Sequence, residues 1–207
     1  MLDACHHDDR SADGANANKM NRYHLEMLSS PRWAEMLERD MLPWLTSVVD
    51  LGDDVLEIGP GPGLTTDLLR QRTPRLTAAE IDPSLAAQLA ERLAGTNVEV
   101  VNVDAAHTGF PDGRFSSVAC FATLHHVESA AVQDQILREL LRVLRPGGAL
   151  VGSDGYDNEG TRQAHDDDLF VPMDPAALTD RLGAIGFTAA AVDRGEYDFR
   201  FFARKPA

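Results

Sequence analysis

The chain has 207 residues, 43% of them hydrophobic and 25% charged, which is the balance of one globular domain rather than a disordered or fibrous chain. Its net charge of -14 weighs against nucleic acid as a partner, since such binding draws on neutralising phosphates with Lys and Arg, and the 19 basic residues are scattered. Two cysteines, Cys5 and Cys120, make no disulfide framework. No apolar run approaches the roughly 20 residues needed to cross a bilayer, and the N-terminus lacks a secretory h-region, so a cytoplasmic protein with no membrane partner is expected.

Residues 1–18 are polar and aperiodic and read as a mobile tail. Residues 19–50 read as a helical segment, with Leu25, Leu28, Trp33, Met36, Leu37, Met41 and Trp44 at helical spacing and a second helix starting at Pro31 after Ser30. Tyr23, His24 and Trp33 there are candidates for a lid. The main domain, 51–207, alternates. A buried strand at 55–58 precedes a glycine-rich turn and a helix over 64–71. A strand at 76–81 follows, then a helix opened by Asp82-Pro83 and faced by Leu85, Leu89 and Leu93. Strands at 98–103 and 117–122 lead to a long helix over 130–144, ended by the turn residues Arg145-Pro146-Gly147-Gly148. A fifth strand spans 149–153. Asp174-Pro175 caps a helix that stops near Gly186, and two strands, 187–192 and 197–203, close the chain. The pattern predicts a doubly wound α/β fold: a mostly parallel, seven-stranded, Rossmann-like sheet with helices on both faces and an antiparallel C-terminal strand.

The informative stretch is Glu57-Ile58-Gly59-Pro60-Gly61-Pro62-Gly63, between a strand and a helix. Ligands of open α/β sheets bind beyond the carboxyl ends of the strands, and Glu80, at the end of the second strand, is placed to accept hydrogen bonds from a ribose. The glycines are spaced G-x-G-x-G, with Leu64 where a dinucleotide fingerprint needs its third glycine. An acid at position 57 would repel a pyrophosphate. It would favour the ammonium and sulfonium of S-adenosylmethionine.

The chain here closely resembles the class I S-adenosylmethionine-dependent methyltransferases, in particular the small-molecule enzymes related to the ubiquinone/menaquinone-pathway family. The resemblance runs from Asp53 to Leu150 through the block at 55–63, Glu80-Ile81-Asp82-Pro83, Val103-Asp104-Ala105, the block at 110–115, Leu124-His125-His126-Val127 and Leu144-Arg145-Pro146-Gly147-Gly148. It implies a cofactor pocket of Glu57, Gly59, Pro60, Gly61, Gly63, Glu80, Ile81, Asp104, Ala105, Phe121 and Ala122, with Glu80 on the ribose and Asp104 on the adenine amino group. Ser116, where relatives more often carry Asp, departs from the pattern.

The implied reaction is methyl transfer to a small-molecule acceptor, by a monomer or homodimer. His125 and His126 are the candidate general bases. Tyr23, His24, Asp154 and His165 are candidate acceptor-binding residues. Carboxylate and imidazole in the run 165–168 could bind a divalent metal, but adjacent aspartates in a loop are usually just solvated, and no metal is assigned. Three rival readings are a non-catalytic S-adenosylmethionine-binding protein, an NAD-dependent oxidoreductase on a similar fold, and a methyltransferase acting on protein or RNA.

Overall fold

The computed structural model describes residues 21–166, 168–196 and 198–207, so the predicted N-terminal tail, with Cys5, lies outside the described residues. Three helical stretches come first: α1 (Arg22–Leu28), α2 (Pro31–Met36) and α3 (Leu42–Val48), the last two joined by a π-helical turn at Leu37–Met41. Asn21 and Ser30 cap α1 and α2 through their side chains, and Pro31 opens α2 as predicted. Pro43 has no N–H to give the carbonyl one turn back, and the π turn lies just before it.

The remainder alternates: β1 (Asp54–Ile58), α4 (Leu64–Leu69), β2 (Arg75–Glu80), α5 (Pro83–Arg92), β3 (Val98–Asn102), β4 (Phe115–Phe121), a short 3-10 turn (Leu124–His126), α6 (Ala130–Val143), β5 (Leu144–Gly155), α7 (Glu159–Ala164), α8 (Leu178–Ile185), β6 (Thr188–Arg194) and β7 (Asp198–Arg204). The seven strands order as β3-β2-β1-β4-β5-β7-β6. All neighbours are parallel except β7, which runs against both β5 and β6. The predicted fold class is therefore the one observed.

Both faces of the central strands are buried, which is why apolar residues fall on both sides of them, as at Val55 and Leu56 of β1 and Val118 to Phe121 of β4. Successive residues point to opposite faces. Leu56, Ile58, Val118, Cys120 and Leu150 pack against Ile136, Leu137, Leu140 and Val143 of α6, Leu178 and Leu182 of α8, and Phe199 and Phe201 of β7. Val55, Ala119, Phe121, Ala149 and Val151 pack against Leu37, Met41 and Leu45 of the N-terminal helices and Leu68 and Leu69 of α4. Trp33 joins this second cluster. Its place is in packing on the sheet face.

Three local expectations differ from the structure. Arg145-Gly148 is not a turn outside the sheet: β5 already begins at Leu144, paired to Phe115, and the extra residues are absorbed as an irregularity before Ser117 pairs with Ala149. Asp174 does not cap α8 directly. Its carboxylate caps a preceding turn through the Ala176 N–H at 2.8 Å, and α8 starts at Leu178. Helix α7 was not predicted, having six residues and no apolar face.

Candidate functional site

Strand β1 sits between β2, which follows it in the chain, and β4, which does not, so the connections diverge at its carboxyl end and leave a crevice there. Gly59 extends the β1–β2 ladder by one bond, its N–H donating to the Ala79 carbonyl at 2.9 Å. The chain then turns sharply, with Gly59, Gly61 and Gly63 at φ +63°, +52° and +86°, and Gly63 N–H closes the turn onto Pro60 O at 2.9 Å. The glycines serve different ends. A Cβ at Gly59 would collide with the Thr123 side chain, and one at Gly63 with Leu89 and Arg92. At Gly61 nothing lies within 4 Å of where it would stand. Gly61 is thus needed for its backbone conformation, and it faces open space.

Two buried acids flank this turn. Glu57, 1% exposed within β1, accepts a short hydrogen bond from the Thr65 hydroxyl of α4. Its second oxygen, Oε2, is buried without a hydrogen bond of good geometry, although the Thr66 hydroxyl stands nearby. Burial pushes its carboxyl up to about 7, against the pull of the threonine hydroxyls. Glu80 closes β2. Its Oε2 accepts the Gly61 N–H at 3.0 Å and its Oε1 the Asp82 N–H at 2.9 Å. Burial raises its carboxyl above the usual range despite these bonds. Each oxygen has a further lone pair for another donor. Asn102 braces this strand end, donating to the Glu80 and Ile81 carbonyls at 2.8 and 2.9 Å. Beyond it Ile81 is 44% exposed, unusual for a large apolar side chain.

Asp104 is exposed after β3, and its Oδ1 accepts the Ala106 N–H at 2.8 Å, which fixes the loop carrying Ala105. At the end of β4, Phe121 is buried and Ala122 takes φ +50°, a left-handed conformation unfavourable for a residue with a Cβ. The Ala122 N–H is held by Ser153 O at 2.8 Å. Strained backbone of this kind persists where surrounding structure imposes it, often beside a site.

On the far side of β4 the fold gathers four histidines. His24 comes from α1, His125 and His126 from the 3-10 turn after β4, and His165 from the end of α7. Asn21 brings α1 there: its side-chain amide donates to the carbonyls of Ala164 and Asp166, and its backbone N–H to Asp168 Oδ1 at 2.6 Å. Buried Gln133 of α6 clamps the other side, donating to Leu124 O at 3.0 Å and Val171 O at 2.7 Å. His125 Nδ1 meets Asp154 Oδ1 in a short bond at the end of β5, and its Nε2 lies 2.9 Å from His165 Nε2. His165 Nδ1 lies 2.7 Å from Thr161 O, a carbonyl, so it carries the proton there. With His165 neutral, its Nε2 is an acceptor and His125 Nε2 must be the donor.

Residues 56–152 match the family described as a methyltransferase domain. The match to a methyltransferase domain is confined to this segment, under half of the chain. A methyltransferase of Mycobacterium tuberculosis, itself uncharacterised, is 31% identical over 119 residues, covering 57% of this chain and 58% of that protein. The chain thus spans under two thirds of the length of such relatives. The ubiquinone/menaquinone biosynthesis C-methyltransferase of Hahella chejuensis is 38% identical over 112 residues, covering 51% of this chain and 44% of its own. An rRNA adenine N-6-methyltransferase of Saccharopolyspora erythraea is 44% identical, but over 70 residues, 18% of its length. Among solved structures, a SAM-dependent methyltransferase from Aquifex aeolicus superposes with a TM-score of 0.69 at 20% identity, covering 90% of this chain and all of that one. The matched segment ends within β5, so Asp154 and everything after it lie beyond the match.

The structure brings Glu57, Gly59, Pro60, Gly61, Gly63 and Glu80 together at one turn, and Phe121 and Ala122 to the neighbouring strand end. Three of the four candidate acceptor residues, His24, Asp154 and His165, join His125 and His126. Tyr23 stands apart, 65% exposed. Asp167 of the acidic run lies outside the described residues. Thr65, Asn102 and Gln133 were not singled out from sequence as site residues, whereas Asp168 belongs to the acidic run at 165–168. Thr65, in the first turn after the glycines, faces back toward the β1 acid, and that spacing was its one legible signal.

Proposed function

We propose that the protein binds S-adenosylmethionine in the crevice beyond β1, β2 and β4 and transfers its methyl group to a small-molecule acceptor. The observation that carries this is Glu80: a buried carboxylate held by the glycine turn through Gly61 and by Asp82, which keeps one lone pair on each oxygen for a pair of hydroxyls. A cofactor carrying a ribose and positive charge fits the donor set. Gly61 opens the backbone to it, Ile81 offers an exposed apolar surface for the adenine, Asp104 and Ala105 border the base, and the Glu57 side chain presents negative charge to the cationic end. Phe121 and Ala122 line the methionine portion. Pro60 shapes the turn between Gly59 and Gly61.

When bound, S-adenosylmethionine supplies a methyl carbon already activated by its sulfonium leaving group. The protein's work is then to align the acceptor and keep water away. We assign 51–207 to the catalytic unit and 19–50 to a cover whose α1 closes the acceptor side. His125 and His126 act there in positioning. His125 already carries a proton on Nε2, and burial beside other imidazoles holds His126 at about 2, so neither suits proton abstraction at neutral pH.

An NAD-dependent reaction is disfavoured by Glu57, which would set a buried acid near the pyrophosphate. The scattered basic residues and the charge of -14 support a small acceptor over RNA. The test is calorimetric titration with S-adenosylmethionine, S-adenosylhomocysteine and NAD, followed by transfer of labelled methyl to a panel of small phenols, carboxylates and amines and to ribosomal RNA. Binding of the first two and labelling of a small acceptor is the expected result. NAD binding without S-adenosylmethionine binding overturns the proposal, and labelling of RNA alone overturns the acceptor class.

A further inference from the structure

Four of the chain's seven histidines meet at the acceptor side, and three of them, His24, His126 and His165, turn ligand-capable atoms toward one another. Ligand-capable atoms of His24, His126 and His165 all lie within 4.8 Å of one another. His24 and His165 are buried and His126 is half-buried. Ring centroids are 4.4 Å apart for His24 and His165, and 5.0 Å apart for each of the other two pairs. His24 Nδ1 and His126 Nε2 are both shielded from solvent without a hydrogen bond of good geometry, the Asp168 carboxylate standing 3.5 Å from the former. Buried polar atoms are ordinarily paired, so two such atoms in one cluster point to a missing electron-pair acceptor.

From this geometry we infer that His24, His126 and His165 form a binding site for a divalent transition metal of the zinc class. The donors are imidazole nitrogens, which suit zinc, nickel, copper or iron and not the oxygen-seeking magnesium or calcium. The rings of His24 and His165 are buried and that of His126 half-buried among one another, an environment that favours the neutral imidazole a metal ligand must be. The bond from His165 Nδ1–H to Thr161 O fixes the tautomer that leaves Nε2 bare, the outer-shell arrangement that metal-binding histidines use. A metal on that Nε2 takes the place of the hydrogen bond from His125. The Asp154 and Asp168 carboxylates supply opposing charge, the former bound to His125 and the latter 3.5 Å from His24 Nδ1. Three protein ligands leave one position of a tetrahedral zinc for water or another donor.

The site does not depend on cofactor binding, and its test is separate. Cobalt(II) is titrated into the full chain, freed of any affinity tag and carrying His6→Ala and His7→Ala so that this N-terminal pair cannot chelate. One equivalent is expected to bind, giving visible d–d bands that zinc abolishes, and zinc is expected to raise the melting temperature. His126→Ala and His165→Asn, each verified as folded by circular dichroism, are expected to lose the bands and to weaken zinc binding by at least about a hundredfold, the upper end of the loss on removing an outer-shell partner. His107→Ala, outside the cluster, is expected to leave both unchanged. Absence of stoichiometric cobalt and zinc binding to the chain with the intact cluster overturns the inference. So do undiminished bands in both folded variants. Titration of the same samples with S-adenosylmethionine reports on the cofactor proposal independently.

Discussion

Replacing Glu80 with Ala removes the carboxylate that joins the end of β2 to the glycine turn. Two consequences follow from its hydrogen bonds. The Gly61 and Asp82 amides, at 3.0 and 2.9 Å, lose their acceptor, and the turn loses its tie to β2. Water entering from the crevice offsets part of this, so a stability loss of about 1–3 kcal/mol is expected, the cost of an unmet buried donor. The remaining lone pairs are lost to the ligand as well. A charged acceptor contributes about 1.5–3 kcal/mol per hydrogen bond, and loss of even one lowers affinity roughly tenfold to a hundredfold. Glu80→Gln separates the two effects. It keeps the side chain's shape and one acceptor oxygen, so it should retain more stability than Ala while still losing affinity. Calorimetry with S-adenosylmethionine and S-adenosylhomocysteine, beside urea denaturation, measures both. A folded Glu80→Ala protein that binds either ligand as tightly as the unchanged chain would refute the placement of the ribose at Glu80.

Glu57 makes cofactor binding pH-dependent: its carboxyl ionises near pH 7, so affinity for a cationic cofactor should rise with pH up to about 7 and then level off, and Glu57→Gln should flatten the calorimetric profile. The same group affects stability with the opposite sense. Its folded-state value lies above the unfolded 4.5, so the proton stabilises the folded chain by roughly 3 kcal/mol below pH 4.5, and this contribution is lost as pH rises through about 7, measurable by urea melts across that range. Gly59→Ala forces a Cβ into Thr123 at φ +63° and should cost about 1–3 kcal/mol in denaturation while abolishing cofactor binding. Leu140→Ala, at a fully buried position on α6, should destabilise by about 2–5 kcal/mol and leave cofactor affinity nearly unchanged in the folded fraction, as denaturation and calorimetry together will show.

Much of this protein is written locally. The alternation of apolar runs with capped helices, Asp82-Pro83 and Ser30-Pro31 among them, specifies the order of elements, because strand and helix periods and caps act over only a few residues. The turn at 59–63 and its two acids are legible for the same reason: they sit at strand ends whose place in a parallel sheet follows from the pattern. Position within the sheet also explains why Glu57 is buried and its carboxyl raised. The histidine cluster is of another kind. His24, His125 and His165 are separated by 101 and 40 positions, and each, taken singly, looks like an ordinary polar residue near a helix end. Only the docking of α1 onto the loop beyond α7, through Asn21, and the clamp of Gln133 on Val171 bring them into contact. Such contacts depend on the packing of distant elements, which no local window of residues carries.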